Sequence, residues 1–203
     1  MDELSTERLL LRRFAPADLE LLVELDSDPL VMRRITGGRP TPRSEVVDDV
    51  LPVLATMHER LGGYGFWAAF VRDTGEFLGW FHLRPDRGAP VDEPELGYRL
   101  RHAAWGRGYG TEGATALVDL AFCRLGARRV VAQTMTVHTA SRRVMEKAGL
   151  VLVRTFHQPW PDPIDGDEHG DVEYALDRQQ WLDRQPPASS GTVDVERPGP
   201  PRR

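Results

Sequence analysis

Residues 95–112 read ELGYRLRHAAWGRGYGTE, and this stretch decides how we interpret the rest of the chain. Its first six residues alternate in polarity, with Leu96, Tyr98 and Leu100 on one apolar face, which predicts a β-strand. After the stretch, apolar residues recur at helical spacing until Gly126, which predicts a helix with a glycine stop. These apolar residues are Ala114, Leu117, Val118, Ala121, Phe122 and Leu125.

The loop between the predicted strand and helix has the composition of an anion-binding site. Gly106, Gly108 and Gly110 lie in it, with Arg107 between the first two. Amide groups at a helix N-terminus lack intrahelical acceptors, the helix dipole favours negative charge there, and glycine lets the backbone approach phosphate oxygens closely. Arg107 adds a guanidinium fork that matches phosphate. A plain strand-to-helix connection uses the same glycines, so the loop alone leaves both interpretations open.

The surrounding sequence predicts alternating short elements. Seven segments read as strands: residues 8–13, 66–71, 77–83, 95–100, 128–134, 151–156 and 172–176. Near the start, helices are predicted from Pro16 to about Leu25 and from Ser44 to about Leu61, with Pro52 bending or splitting the second. Residues 139–150, TASRRVMEKAGL, predict a short helix that Gly149 ends.

Six segments in this order resemble the GNAT superfamily of acyl-CoA-dependent N-acyltransferases, and most closely its bacterial ribosomal-protein N-terminal acetyltransferase branch. They are residues 6–12, 28–32, 65–67, 95–98, 105–112 and 140–150, and the likeness extends to about Trp181. The resemblance implies an α+β fold with a mostly antiparallel, twisted sheet of about seven strands, splayed between strands 4 and 5 and flanked by helices. We expect this domain to cover residues 1–185, followed by a disordered Pro/Gly/Ser/Arg-rich tail over residues 186–203.

The resemblance also implies a co-substrate, acetyl-CoA, and transfer of its acetyl group to a primary amine by direct attack in a ternary complex. The amine would be a protein N-terminus or a small molecule, and no metal is implied. Backbone amides of the glycine loop would hold the diphosphate, and the preceding strand would hold the pantetheine arm. The cofactor-binding residues implied are Leu100, Arg101, Trp105, Gly106, Arg107, Gly108, Tyr109, Gly110, Thr111, His138 and Ser141.

Three residues are candidates for proton transfer. Glu95 matches the strand position of a general base in several family members, although a surface glutamate is an equally good interpretation. His102 is the alternative base, and its other interpretation is a solvated histidine in a loop. Where many family members carry a tyrosine acid this chain has Met145, so Ser141 is the nearest hydroxyl for the departing sulfur, unless it serves as a helix cap.

Composition narrows the class of protein. A chain of 203 residues, 40% of them hydrophobic, fits one globular domain. The formal net charge of -5 argues against nucleic-acid binding. A single cysteine, and the lack of a signal-like or membrane-spanning stretch, favour a cytoplasmic protein without membrane association. We expect a monomer or a homodimer.

Two further alternatives remain at the level of sequence. The acidic residues 162–171 lack the spacing of a calcium loop, so we expect a solvated loop near the acceptor mouth whose charge favours a cationic amine. The missing tyrosine, and His138 in place of the family's usual asparagine, also suit a catalytically weak acyl-CoA-binding sensor or an interaction module.

Overall fold

The computed structural model describes residues 3–86, 88–158 and 162–185, and the predicted disordered tail lies outside these residues. The described residues form one sheet in the order β1-β2-β3-β4-β5-β6-β8-β7. Its strands are β1 (Glu3–Ser5), β2 (Leu9–Arg13), β3 (Gly65–Val71), β4 (Phe77–Pro85), β5 (Pro94–Leu100), β6 (Arg129–Met135), β7 (Val151–Phe156) and β8 (Asp171–Asp177). The strand beyond the seven expected is β1, whose three residues are too few to show a period.

The described residues form seven α-helices, of which the last, after β8, was not predicted from the sequence. They are α1 (Leu19–Leu25), α2 (Pro29–Met32), α3 (Arg43–Glu45), α4 (Leu51–Arg60), α5 (Tyr109–Cys123), α6 (Thr139–Lys147) and α7 (Arg178–Leu182). A π-helical turn, Val46–Val50, joins α3 to α4 just before Pro52, which cannot donate an intrahelical bond. The predicted cap, Ser44, lies inside α3, and Pro42 takes the cap position. Within the described ranges, no helix is long and apolar enough to span a membrane.

The sheet opens at one place. Every neighbouring pair of strands is antiparallel except β5 and β6, which are parallel and share one register pair, Glu95 with Val131. By contrast, β5 and β4 pair over seven positions, from Gly79–Leu100 to Pro85–Pro94. The predicted splay is therefore confirmed, and the cleft opens toward the C-terminal ends of β5 and β6.

Helices cover both faces of the sheet, which we name the α5 face and the α1 face. On the α5 face, α5 and α6 pack against Phe81, Leu96 and Leu100 in the larger core cluster. On the α1 face, α1, α2 and α4 pack against Phe66 and Ala68 in a second cluster. Because both faces are covered, the central strand β3 reads as a continuous apolar run rather than an alternating one.

A carboxylate ties the N-terminal turn to the start of α5. Glu112 accepts hydrogen bonds from Thr6 Oγ1, from the Arg8 amide at 2.8 Å and from Arg8 Nε at 2.7 Å. Burial by itself raises the pKa of Glu112, but the hydrogen bonds from Thr6 and Arg8 together outweigh it and lower the pKa. This latch brings the turn between β1 and β2 to the glycine loop.

We predict that Glu112→Gln lowers the free energy of unfolding by about 1–2 kcal/mol at neutral pH, because charged hydrogen bonds are lost at a partly exposed site. A carboxylate with a lowered folded-state pKa stabilises the fold above its unfolded pKa and loses that effect as pH falls through the folded pKa. The difference between wild type and variant in urea unfolding should therefore disappear in acid.

The control for this measurement is Glu20→Gln, which removes an exposed ion pair with Arg43 and should change stability by less than about 0.5 kcal/mol. A Glu112→Gln difference that persists unchanged to the lowest pH would contradict an electrostatic latch.

Candidate active site

The N-terminus of α5 presents unpaired amides. Its cap residue, Gly108, has φ +86°, a left-handed conformation that glycine adopts without strain. The first amide bond along the helix runs from Glu112 N to Gly108 O at 3.0 Å, so the amides of Tyr109, Gly110 and Thr111 precede it and have no intrahelical acceptor. These amides lie at the positive end of a 15-residue helix, next to the open end of the β5–β6 cleft.

Two guanidinium groups flank these amides. The Tyr109 ring is buried, and the guanidinium carbons of Arg8 and Arg107 lie 4.6 Å and 5.2 Å from its centroid. Arg8 Nη1 also donates to the Arg107 carbonyl at 3.0 Å. The sequence pattern indicated Arg107, whereas Arg8 arrives from the N-terminal turn through the Glu112 latch. Gly106, Arg107 and Gly108 are exposed, so an anion has access to this loop.

Leu100, Arg101 and Trp105 are also predicted to bind the cofactor, and they connect β5 to the glycine loop. Trp105 Nε1 donates to the Leu100 carbonyl at 2.8 Å, although the Trp105 side chain is otherwise exposed. The Arg101 amide donates to Leu78 O at 2.8 Å, so this amide is already paired. The indole of Trp105 also meets the imidazole of His102 edge-on, with ring centroids 4.9 Å apart. These contacts fix the path of the chain between strand and helix.

The structure separates the two candidate bases. Exposed His102 lines a cavity of about 370 Å³ beyond the C-terminal end of β5, together with Glu24, Leu25, Asp28, Val31, Arg101 and Ala103. Glu95 lies near the other end of β5, about 17 Å from Leu100 at the usual rise per strand residue. One amine therefore cannot reach both Glu95 and His102.

The Glu95 carboxylate lies at the closed end of the cleft on the α1 face. Arg84 Nη2 donates to its Oε2 at 3.0 Å, and His82 Nε2 lies 4.0 Å from the same oxygen. Burial raises the pKa of Glu95, Arg84 opposes that rise and Asp86 adds to it. Its side chain is only 20% exposed, so the interpretation as a solvated surface glutamate does not hold.

A pair of hydroxyl groups bridges the cleft on the α5 face. Tyr98 Oη donates to the Ser141 carbonyl at 2.9 Å and lies 3.0 Å from Ser141 Oγ. Burial raises the pKa of Tyr98. His138 Nδ1 accepts the Ser141 amide at 3.3 Å and caps α6, which leaves the Ser141 hydroxyl free of the capping role. Met145 is buried in the core.

Tyr98 was in the sequence motif, yet the sequence assigned it no role. Its partner Ser141 is 43 residues away, so no local spacing could have indicated the contact. The only local signal was a tyrosine on the face of β5 that points toward the following helices.

The acidic loop is paired with arginines rather than free to attract an amine. Asp165 pairs with Arg33 at 3.1 Å and its carbonyl accepts from Arg34 at 2.6 Å. Asp162 pairs with Arg39 at 3.0 Å. These arginines offset much of the loop's charge, so the expected attraction for a cationic amine is weaker than the sequence suggested. Within residues 3–86, 88–158 and 162–185, no group of His, Cys, Asp and Glu is arranged to hold a metal ion.

This chain is similar to known acetyltransferases. The family model described as "Acetyltransferase (GNAT) domain" matches residues 8–151. The chain is 37% identical over 191 residues to an FsC-acetyl coenzyme A-N(2)-transacetylase from Aspergillus fumigatus, a match that covers 91% of this chain and 80% of that protein.

Solved structures share the fold. The chain is similar to a GNAT-family acetyltransferase from Bacillus anthracis, with a TM-score of 0.71 and 23% identity over 87% of this chain and 99% of that one. It is also similar to RimL, a ribosomal L7/L12 alpha-N-protein acetyltransferase in complex with coenzyme A. That match has a TM-score of 0.71 and 20% identity, and it covers 88% of this chain and 99% of the other. The ribosomal-protein branch is thus one of several neighbours.

Proposed function

This chain belongs to the GNAT acetyltransferase family, and we propose that it transfers the acetyl group of acetyl-CoA to a primary amine by direct attack in a ternary complex. One observation carries the proposal: the cleft between β5 and β6 has unpaired helix amides at its open end and the Glu95 carboxylate at its closed end. An extended cofactor with a diphosphate at one end and a thioester at the other fits that arrangement.

The cofactor would be held mainly by backbone groups. The amides of Tyr109, Gly110 and Thr111 would bind the diphosphate, with Arg8 and Arg107 adding positive charge. The pantetheine arm would lie along the edge of β5 that faces away from β4, because β6 leaves that edge open beyond Glu95. Binding by main-chain groups is consistent with a loop rich in glycine.

The reaction needs one proton taken from the amine and one given to sulfur. In the proposed step, the ammonium gives a proton to Glu95, the nitrogen lone pair forms the C–N bond, and the C–S bond breaks. The second nitrogen proton passes to the thiolate by way of the Ser141 hydroxyl, which Tyr98 holds. The products are an N-acetyl amide, coenzyme A thiol and a protonated Glu95, and most of the acceleration comes from positioning.

We propose that the acceptor is an amine of the kind that the name of the A. fumigatus relative gives as N(2), rather than a ribosomal-protein N-terminus. The relative shares 37% identity along most of this chain, whereas the ribosomal-protein enzyme shares 20% and therefore supports only the fold. As an amino-acid locant, N(2) denotes the α-amine. Its ordinary pKa near 8 leaves about a tenth of it neutral at pH 7, against far less for a lysine side chain.

We predict that N6-acetyl-lysinamide, which has a free α-amine, is acetylated at least tenfold faster than N2-acetyl-lysinamide, which has a free side-chain amine. The two isomers have the same composition and differ in which nitrogen is free, and coenzyme A thiol release measures both. A faster N2-acetyl isomer would contradict the acceptor class. Absence of thiol release with either isomer, with spermidine and with an alanine-initiated peptide would contradict amine acetylation by this chain.

We predict that Thr111→Glu separates stability from binding. A carboxylate in the first turn of α5 favours the helix dipole, so the melting temperature should stay the same or rise slightly. The same charge faces the diphosphate and should weaken acetyl-CoA binding at least tenfold by calorimetry. Thr111→Gln, of the same shape without the charge, is the control and should bind within about threefold of wild type. Wild-type affinity in a folded Thr111→Glu would count against the diphosphate site.

We predict that Glu95→Gln lowers kcat by about a hundredfold with little change in the acetyl-CoA KM. In wild type, kcat should fall as pH falls through the raised pKa of Glu95, because only the carboxylate accepts a proton, and the variant should lose that acid limb. Glu93→Gln, in the loop before β5 and paired with Arg128, is the control and should keep it. A wild-type pH profile in Glu95→Gln would remove Glu95 as the base.

A further inference from the structure

His82 is a buried imidazole on β4. Only 6% of its surface is exposed, and neither ring nitrogen has a hydrogen-bond partner among the described residues. The ring stacks on Trp80, with centroids 5.7 Å apart, and meets Phe66 edge-on at 4.9 Å. Burying an unpaired polar group costs roughly 1–3 kcal/mol, so an unpaired imidazole in the protein interior needs a physical explanation.

The same fold contains a buried histidine with no such deficit. His58 is 2% exposed, and its two ring nitrogens lie 3.2 Å from the Gly63 carbonyl and 2.7 Å from the Phe66 carbonyl. His58 therefore has the contacts of a structural histidine. The contrast makes the two free nitrogens of His82 informative.

The free Nε2 of His82 points along β5 toward the proposed base. It lies 4.0 Å from Glu95 Oε2, just beyond hydrogen-bond distance. A Cβ at position 97 would lie 2.5 Å from the same nitrogen, so glycine at 97 is what lets the ring rest against β5. The Gly97 of the strand motif thus makes room for the imidazole beside Glu95.

The Glu95 carboxylate also has a charged partner, the guanidinium of Arg84. Arg84 donates to the same Oε2 at 3.0 Å, and this guanidinium is partly exposed. Other charged groups near the pair are Asp86, which follows β4, and Arg99 on β5. A shift of Oε2 by about 1 Å toward the imidazole would bring it to an ordinary hydrogen-bond length from Nε2.

We propose that His82 is a positioning residue for Glu95: in the reacting enzyme its Nε2–H donates to the Glu95 carboxylate and holds it toward the cleft. The inference rests on the proposed function, in which Glu95 accepts the proton of the amine. Burial, with Arg84 and Arg99, lowers the pKa of His82 to about 3, so the imidazole donates as a neutral group. A neutral donor fixes the carboxylate without adding a formal charge beside an incoming ammonium.

The test is His82→Phe, which keeps an aromatic ring and removes the donor. We expect kcat to fall about tenfold with the acetyl-CoA KM unchanged. We also expect the acid limb of kcat to move up by about one pH unit, because the charged carboxylate loses a hydrogen bond that favours it. The melting temperature should stay the same or rise, since an orphan polar group is removed. The amine is N6-acetyl-lysinamide, with spermidine in a second series.

Two companion variants complete the experiment. His82→Gln keeps a donor and should restore the acid limb and most of kcat. His58→Phe should lower the melting temperature, because the hydrogen bond that the imidazole N–H donates to a backbone carbonyl is lost, without moving the acid limb. If His82→Phe does not fold, His82→Leu, which is smaller and equally unable to donate, replaces it.

The outcomes separate the two proposals. An acid limb and kcat that stay at wild-type values in His82→Phe would overturn the role of His82, as would equal losses in His82→Phe and His82→Gln. Neither result touches amine acetylation itself. Absence of thiol release by wild type would instead overturn the proposed function, whereas a fully active Glu95→Gln would remove Glu95 as the base and the role of His82 with it.

Discussion

The parting of β5 and β6 after a single register pair is the constraint on which the rest of the structure depends. Elsewhere in the sheet, strands satisfy each other's backbone groups, and buried backbone polar groups rarely stay unpaired. Beyond Glu95, no strand among the described residues pairs with the edge of β5 that faces β6, so this edge is open to water or a ligand. The separation of the two strands also gives the cleft two different ends. Glu95 lies at the closed end and the N-terminus of α5 at the open end.

The alternation of side chains along β5 then puts the proposed base and the hydroxyl pair on opposite faces of the sheet. Glu95 projects to the α1 face beside Arg84 and His82, whereas Tyr98, three residues on, projects to the α5 face and meets Ser141. A thioester carbon lying in the cleft would have an incoming amine on one side and a departing sulfur on the other. The geometry of a strand is sufficient to separate base from hydroxyl.

The order of strands and helices was predictable because the long elements show an apolar period, as α5 does from Ala114 to Phe122, or a continuous apolar run, as β3 does. The splay came from the family resemblance, since nothing in the residues of β5 and β6 signals that they stop pairing. The contacts that define the site were beyond reach: Arg8 and Glu112 are 104 residues apart, and Tyr98 and Ser141 are 43 apart. Local spacing carries no information about such pairs, and burial of Glu95 depends on the whole packed sheet.

The properties of Tyr98 explain how the proposed reaction could proceed without a tyrosine acid on α6. Burial raises the pKa of this phenol far above that of an ordinary thiol, near 8.5, so full proton transfer from Tyr98 to a thiolate would be uphill. The phenol can still donate a hydrogen bond, and in the proposed reaction it would stabilise, through Ser141 Oγ, the charge that develops on sulfur. The proton that finally neutralises the thiolate must then come from the attacking nitrogen, whose acidity rises sharply once it is bonded to carbon in the tetrahedral intermediate. A hydroxyl pair that orients and polarises is therefore enough, and Met145 is free to serve the core.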